Sequence, residues 1–273
     1  MIKKSVISLI SYDAEYLPKS IKTYYDYVDE IILGLDEDRI SWSGNKFSFD
    51  EGKLYSELKT LDQDNKISII ESNFHSSKVA LENDNFERNY LKSQCTHDWI
   101  FSFDADEELI NAKDFFLRFT PNAEKYYKSV DFSFTWFLPY KEFDSCYLMI
   151  ANDDNSWSNG DTQGFATYKD NQFTYCRWTN NKRVLFTPLA IMHWSFCRKE
   201  INLNQKLNNF GHSDKSSSDP FFNIWKQVNL NNYNELRNFK TSGFGKNQWN
   251  KLIVIPKTEL EERAKEEAKR LYL

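Results

Sequence analysis

The chain has 273 residues, 40% of them hydrophobic and 27% charged, which is enough to enclose a sizeable core in one large domain or a domain with an appendage. Its net charge is −5 and its lysines are scattered, so it lacks the basic stripe of a nucleic-acid binder. The four cysteines show no zinc-type spacing and no stretch reaches the ~20 apolar residues that cross a bilayer, so a reduced protein without an integral membrane segment is expected.

Ser5 to Ile10 (SVISLI) is short, β-branched and apolar, which predicts a buried first strand. Leu17, Ile21, Tyr24, Tyr25 and Val28 follow at helical spacing, with Pro18 near the helix start. Glu30 to Leu35 predicts a second strand, Leu54 to Leu61 a short helix and Lys66 to Glu71 a third strand. Phe86, Tyr90 and Leu91 mark a helix over Asn85 to Cys95, and Trp99 to Phe103 is a fourth strand that runs into Asp104-Ala105-Asp106. This alternation predicts an α/β fold with a mostly parallel sheet flanked by helices, in which ligands bind outside the carboxyl ends of the strands. Polar residues stand at those ends: Ser11-Tyr12-Asp13, Asp36-Glu37-Asp38 and Asp104-Ala105-Asp106.

The second half is patterned differently. Phe132 to Leu138 alternates, Phe173 to Trp178 and Lys182 to Phe186 look like short strands, and Ala190 to Phe196 is an apolar segment carrying His193. Residues 151–164 are polar and loop-like. From Glu200 helical pieces follow, and the tail from Thr258 is a charged helix with Thr258 as its cap. The expected division is 1–199 as one domain, with a nucleotide-binding half over 1–110 and an acceptor half over 111–199, followed by a helical C-terminal extension over 200–273.

Two carboxylates separated by one residue at a strand end can face one cation, and Mg²⁺ and Mn²⁺ prefer such hard oxygen ligands. The same residues also suit a simple turn. In order along the chain, Ser11 to Leu17, Asp36, Glu87-Arg88-Asn89 and Phe103-Asp104-Ala105-Asp106-Glu107 together resemble the family 2 glycosyltransferases of the GT-A (Rossmann-like) fold, over residues 4–110. The resemblance implies a metal-dependent transfer of a sugar from a nucleotide-diphosphate sugar, a UDP-sugar by expectation, to a glycan or glycolipid acceptor with inversion. It implies donor contacts at Ser11, Tyr12, Glu15, Asp36, Arg88, Asp104, Ala105 and Asp106, and a Mn²⁺ or Mg²⁺ held by Asp104, Asp106 and His193. The family has Asn more often than the Asp13 seen here, and often a second acid where this chain has Glu37.

Beyond residue 110 the resemblance thins. Near Arg177-Trp178 related chains carry an acid as the base, and this chain has none there, which leaves Asp161, Asp153 and Asp154, with Asp161 first. Two other functions stay open: a nucleotidyltransferase, although Ser11 to Tyr16 offers no Gly, Lys or Arg, and a non-catalytic relative that binds carbohydrate or nucleotide. The expected location is the cytoplasm, with any membrane contact made through the acceptor.

Overall fold

A computed structural model describes residues 1–157, 163–211, 218–240 and 248–272. Its first half follows the predicted alternation. The strand β1 (Lys4–Ile10) is buried throughout and lies between parallel neighbours, β2 (Glu30–Asp36) and β4 (Trp99–Ser102), with β3 (Ile67–Ser72) parallel to β2 at the edge. A strand covered on both faces has no solvent side, which is why SVISLI and EIILGL read as unbroken apolar runs. The helices between them are α1 (Leu17–Lys22), α2 (Glu51–Leu61), whose cap Asp50 accepts from the Lys53 N–H at 2.9 Å, and α3 (Ala80–Gln94). Leu17, Ile21, Tyr24, Tyr25 and Val28 are all buried, as their spacing predicts.

The second half contributes β5 (Glu107–Leu109), β6 (Asp131–Phe137), β7 (Pro139–Glu142), β8 (Cys146–Ala151), β9 (Gln163–Tyr168), the hairpin β10 (Phe173–Tyr175) and β11 (Trp178–Thr179), and β12 (Val184–His193). Between β5 and β6, α4 (Ala112–Asp114), a π-helical turn (Phe115–Phe119) and α5 (Thr120–Ala123) form one helical stretch. The main sheet has the order β3-β2-β1-β4-β9-β6-β12-β5, with four of its seven pairings parallel. The two predicted segments 182–186 and 190–196 supply a single strand, β12, whose register against β6 shifts between Phe186 and Ala190.

After β12 come α6 (Glu200–Asn209), α7 (Ser218–Gln227), β13 (Arg237–Lys240), β14 (Gln248–Pro256) and α8 (Leu260–Lys269). The extension is therefore not helical alone: β13 and β14 join β8 and β7 in an antiparallel sheet of order β13-β14-β8-β7. Tyr140, Leu148 and Ile150 from one side and Leu203, Trp225 and Leu252 from the other share one apolar cluster. The tail cap differs from expectation. Thr258 lies inside a 3-10 turn, and α8 begins after Glu259 without a side-chain cap.

Aromatic residues make up 16% of the chain, and many of them serve in packing. Phe101, Phe103, Phe115, Phe116, Phe134 and Phe165 meet at ring distances of 5.1–6.2 Å, and Trp157 packs edge-on against Phe137 at 5.2 Å. All four cysteines are buried and none is in a disulfide among the described residues. Among the described residues no helix is long and apolar enough to cross a membrane.

Candidate active site

The loop Phe103 to Asp106 is a tight turn between β4 and β5. Its shape is fixed from the far side of the sheet. Strand β5 pairs antiparallel with the end of β12, with Glu107 opposite His193, and the Trp194 N–H donates to the Asp106 carbonyl at 3.0 Å. Glu107 is fully buried and accepts from Arg177 Nη1 and Nη2 at 2.7 and 2.8 Å, Trp136 Nε1 at 2.7 Å and the Asp104 N–H at 3.0 Å. A buried carboxylate with that many donors is well satisfied and rigid.

Arg177 arrives from the β10–β11 hairpin, where Cys176 adopts a left-handed backbone with φ 51°. The hairpin is docked by Asn89 of α3, which donates to the Phe173 carbonyl and accepts from the Phe173 N–H, both at 2.9 Å. Arg88, one residue earlier, donates through Nε to Asp84 at 2.6 Å, through Nη1 to Ser102 Oγ at 2.6 Å and through Nη2 to Asp104 Oδ1 at 2.9 Å. The Arg-Asn pair thus organises the site in two directions.

Each aspartate of the pair is held by cations. Asp104, about 30% exposed, has Arg88 at 2.9 Å on Oδ1 and Arg177 at 3.8 Å on Oδ2. Asp106 is almost wholly buried; its Oδ2 accepts from Arg198 and from Lys206 Nζ at 2.7 Å, and its Oδ1 lies 3.4 Å from His193 Nε2. Arg198 also reaches Asp13 Oδ2 at 3.1 Å, and its guanidinium stacks 4.6 Å from the Tyr16 ring. Burial disfavours the charged form of Asp104, but Arg177 and Arg88 outweigh it and hold the carboxyl well below the usual carboxylate range. Burial acts likewise on Asp106, and Lys206, His193 and Arg198 outweigh it and hold that carboxyl well below the usual range too. Asp13 goes the other way: burial raises it despite Arg198.

The expected Mn²⁺ or Mg²⁺ finds an ill-fitting donor set here. Both ions need several oxygen ligands that are free to coordinate. One Asp106 oxygen is held by an ammonium and a guanidinium, and among the described residues no three His, Cys, Asp or Glu side chains converge to hold a metal. Neither ring nitrogen of His193 has a hydrogen-bond partner among the described residues, and the ring packs at a tilt against Trp136, 4.7 Å between centres.

The other expected donor contacts lie at the same end of the sheet. Ser11 and Tyr12 are half-buried after β1, where burial, then Asp13, pushes the Tyr12 phenol well above its ordinary range. Glu15 is exposed and accepts from Asn202 Nδ2 at 2.8 Å. Ala105 is buried within the turn. Asp36 presents no free carboxylate: it accepts from the Asp38, Ile40 and Phe74 N–H groups at 3.1, 2.9 and 2.9 Å, and so ties the loops after β2 and β3 together. Asp161 lies outside the described residues. Asp153 is near the Lys251 ammonium, which donates to its carbonyl, and Asp154 caps Ser156. The residues that sequence reasoning passed over are Asp84, Glu107, Arg177, Arg198 and Lys206, of which only Glu107 stood inside a recognised motif.

No family model matches the chain, and no curated protein matches it. Solved structures similar to it include Staphylococcus aureus TarS 1–349 in complex with UDP-GlcNAc, at 13% identity and a TM-score of 0.32, over 52% of this chain and 36% of that one. A UDP-glucose pyrophosphorylase complexed with UDP-glucose matches at 10% identity and a TM-score of 0.35, over 62% of this chain and 77% of that one. HddC from Yersinia pseudotuberculosis complexed with GMP-PN matches at 10% identity and a TM-score of 0.36, over 79% of this chain and 100% of that one. The chain thus spans about a third of the TarS fragment it matches.

Proposed function

We propose that this chain is a glycosyltransferase of the GT-A type that takes a sugar from a nucleoside-diphosphate sugar, UDP-linked by preference, and passes it with inversion to a glycan or glycolipid acceptor. The observation that carries this is the meeting of the loops after β1, β2 and β4 at one end of a parallel sheet, with Asp104 the partly exposed carboxylate among buried arginines. Strand ends of this kind are where α/β sheets take their ligands. In the transfer, the bond from the sugar anomeric carbon to the β-phosphate oxygen breaks and the diphosphate leaves with added negative charge. Fixed cations aimed at that charge stabilise it as it develops. Arg88 and Arg177 set the geometry of the Asp104 turn; Ser11, Tyr12 and the loop shaped by Asp36 form the wall for the nucleoside.

The acceptor hydroxyl must lose a proton, and we assign that to Asp161. Strand β9, which begins at Gln163, starts at the end of the sheet where β4 finishes, because its Ala166 pairs with Phe101 and its Tyr168 with Trp99. The test has two arms. Thermal shift against UDP, GDP, ADP and CDP, in Mn²⁺ and in chelator, is expected to single out one nucleotide in at least one condition; no shift with any of them defeats the assignment. Asp161→Asn is then expected to keep donor binding while slowing single-turnover transfer by roughly 10²–10⁴-fold. Unchanged transfer removes Asp161 from the mechanism.

A further inference from the structure

Helix α6 crosses the carboxyl end of the sheet and is fastened to three loops. Near its start Asn202 donates to Glu15 in the loop after β1, and in its middle Lys206 donates to Asp106 after β4. Near its end Asn209 Oδ1 accepts from Ser41 Oγ at 2.7 Å and the Asn208 carbonyl accepts from Asn45 Nδ2 at 3.1 Å, both in the loop after β2. Lys206 is therefore a positioned cation, set over the strand ends by a helix with little freedom to slide. Arg198, just before α6, is anchored by the Trp194 carbonyl at 3.2 Å and by Asp13.

We propose that Lys206 takes the place of a divalent cation at this site, with Arg198 behind it offsetting the charge of Asp13 and Asp106, so that a nucleoside diphosphate is bound through an ammonium without metal. This rests on the nucleotide-sugar assignment above. A metal on Asp106 Oδ2 would have to displace both basic groups and strand them in a buried setting without their carboxylate, which is costly, and Oδ1 beside His193 leaves a single oxygen for it. A diphosphate needs no such exchange. The Lys206 ammonium has three donors and among the described residues Asp106 takes one, which leaves two for phosphate oxygens, on the side chain that keeps some exposure (12%, against 1% for Asp106). Arg198, sandwiched between Asp13 and Asp106, pairs with both carboxylates while Lys206 faces the ligand.

The test is calorimetry of UDP, with GDP, ADP and CDP beside it, in chelator and in Mn²⁺. The affinity of the bound nucleotide is expected to agree within about threefold between the two conditions, a difference under 1 kcal/mol. Lys206→Gln is expected to weaken binding in chelator by about tenfold or more, the weight of one charge-assisted hydrogen bond, and Lys206→Arg to recover most of it. Circular dichroism checks that both variants fold; if Lys206→Gln does not, the parent and Lys206→Arg decide. Binding in Mn²⁺ but not in chelator overturns the inference and leaves the function standing. Full affinity in a folded Lys206→Gln also overturns it. Failure of every nucleotide in both conditions overturns the function and this inference together.

Discussion

Glu87 shows how a single buried acid sets a pH dependence away from the reacting centre. Its carboxyl is buried between β2 and α3, accepts from Trp42 Nε1 at 2.7 Å, and is pushed up to about 8, mainly by burial and against the pull of Trp42 and Arg88. An acid whose folded value exceeds its ordinary 4.5 binds its proton more tightly in the folded state. Its contribution is therefore present in full at low pH and is lost as pH rises from about 4.5 to 8, at roughly 1.4 kcal/mol for each unit of difference. Urea unfolding of the parent protein at pH 5 and pH 8 is expected to show that loss, and Glu87→Gln to flatten it, because the amide keeps an acceptor for Trp42 and has nothing to titrate. An equal pH slope in both proteins defeats this. Among the site residues, Asp104 and Asp106 were legible because they follow an unmistakable buried strand. Arg198 and Lys206 were not, since they lie 92 and 100 residues from Asp106 in sequence and only the return of the chain brings them there.

Helix α3 is the element whose sequence concealed it best. Its buried face is Ala80, Asn83, Asp84, Glu87, Arg88, Leu91 and Lys92, a helical spacing filled mostly with polar residues, so apolar periodicity marked its start five residues late. The polar residues have partners across the interface: that face carries Arg88 to Asp104 and Glu87 to Trp42. The apolar elements β1, β2 and α1 were legible for the opposite reason. Three-residue β5 offers too few positions for any period to show, and β14, whose Leu252, Ile253, Val254 and Ile255 form a plain apolar run, was overlooked inside an expected helical region. The fit of α3 on β2 also depends on Gly34. A Cβ there would lie 2.6 Å from Glu87 Oε1 and 2.7 Å from Leu91 Cδ1. Gly34→Ala should thus lower stability by about 1–3 kcal/mol, as overpacking does. Gly52, on α2, meets only Asp50 Oδ1 at 3.7 Å, and Gly52→Ala should instead gain about 0.5 kcal/mol. Chemical denaturation of both variants checks the opposite signs; a Gly34→Ala protein as stable as the parent would show that α3 moves aside freely.

At the scale of the whole molecule, the segment after residue 199 completes a sheet and a core begun earlier in the chain. A chain ended at residue 199 keeps Tyr140, Leu148 and Ile150 but loses Leu203, Trp225 and Leu252, their partners in one cluster. It is expected to lack a cooperative urea transition and to bind a hydrophobic dye, whereas an independent domain over 1–199 would unfold cooperatively. The pairing of β8 with β14 has a further consequence for synthesis on the ribosome. Pro256 pairs with Cys146 and Lys251 with Ala151, so β8 waits for about a hundred further residues before its partner exists. At translation speeds of about 5–20 residues per second, the segment Cys146 to Ala151, paired with β7 on one side, keeps its other edge open for roughly 5–20 s. A nascent chain in that state is a natural client for holding chaperones, and slower growth temperatures that favour capture over collision should raise its soluble yield.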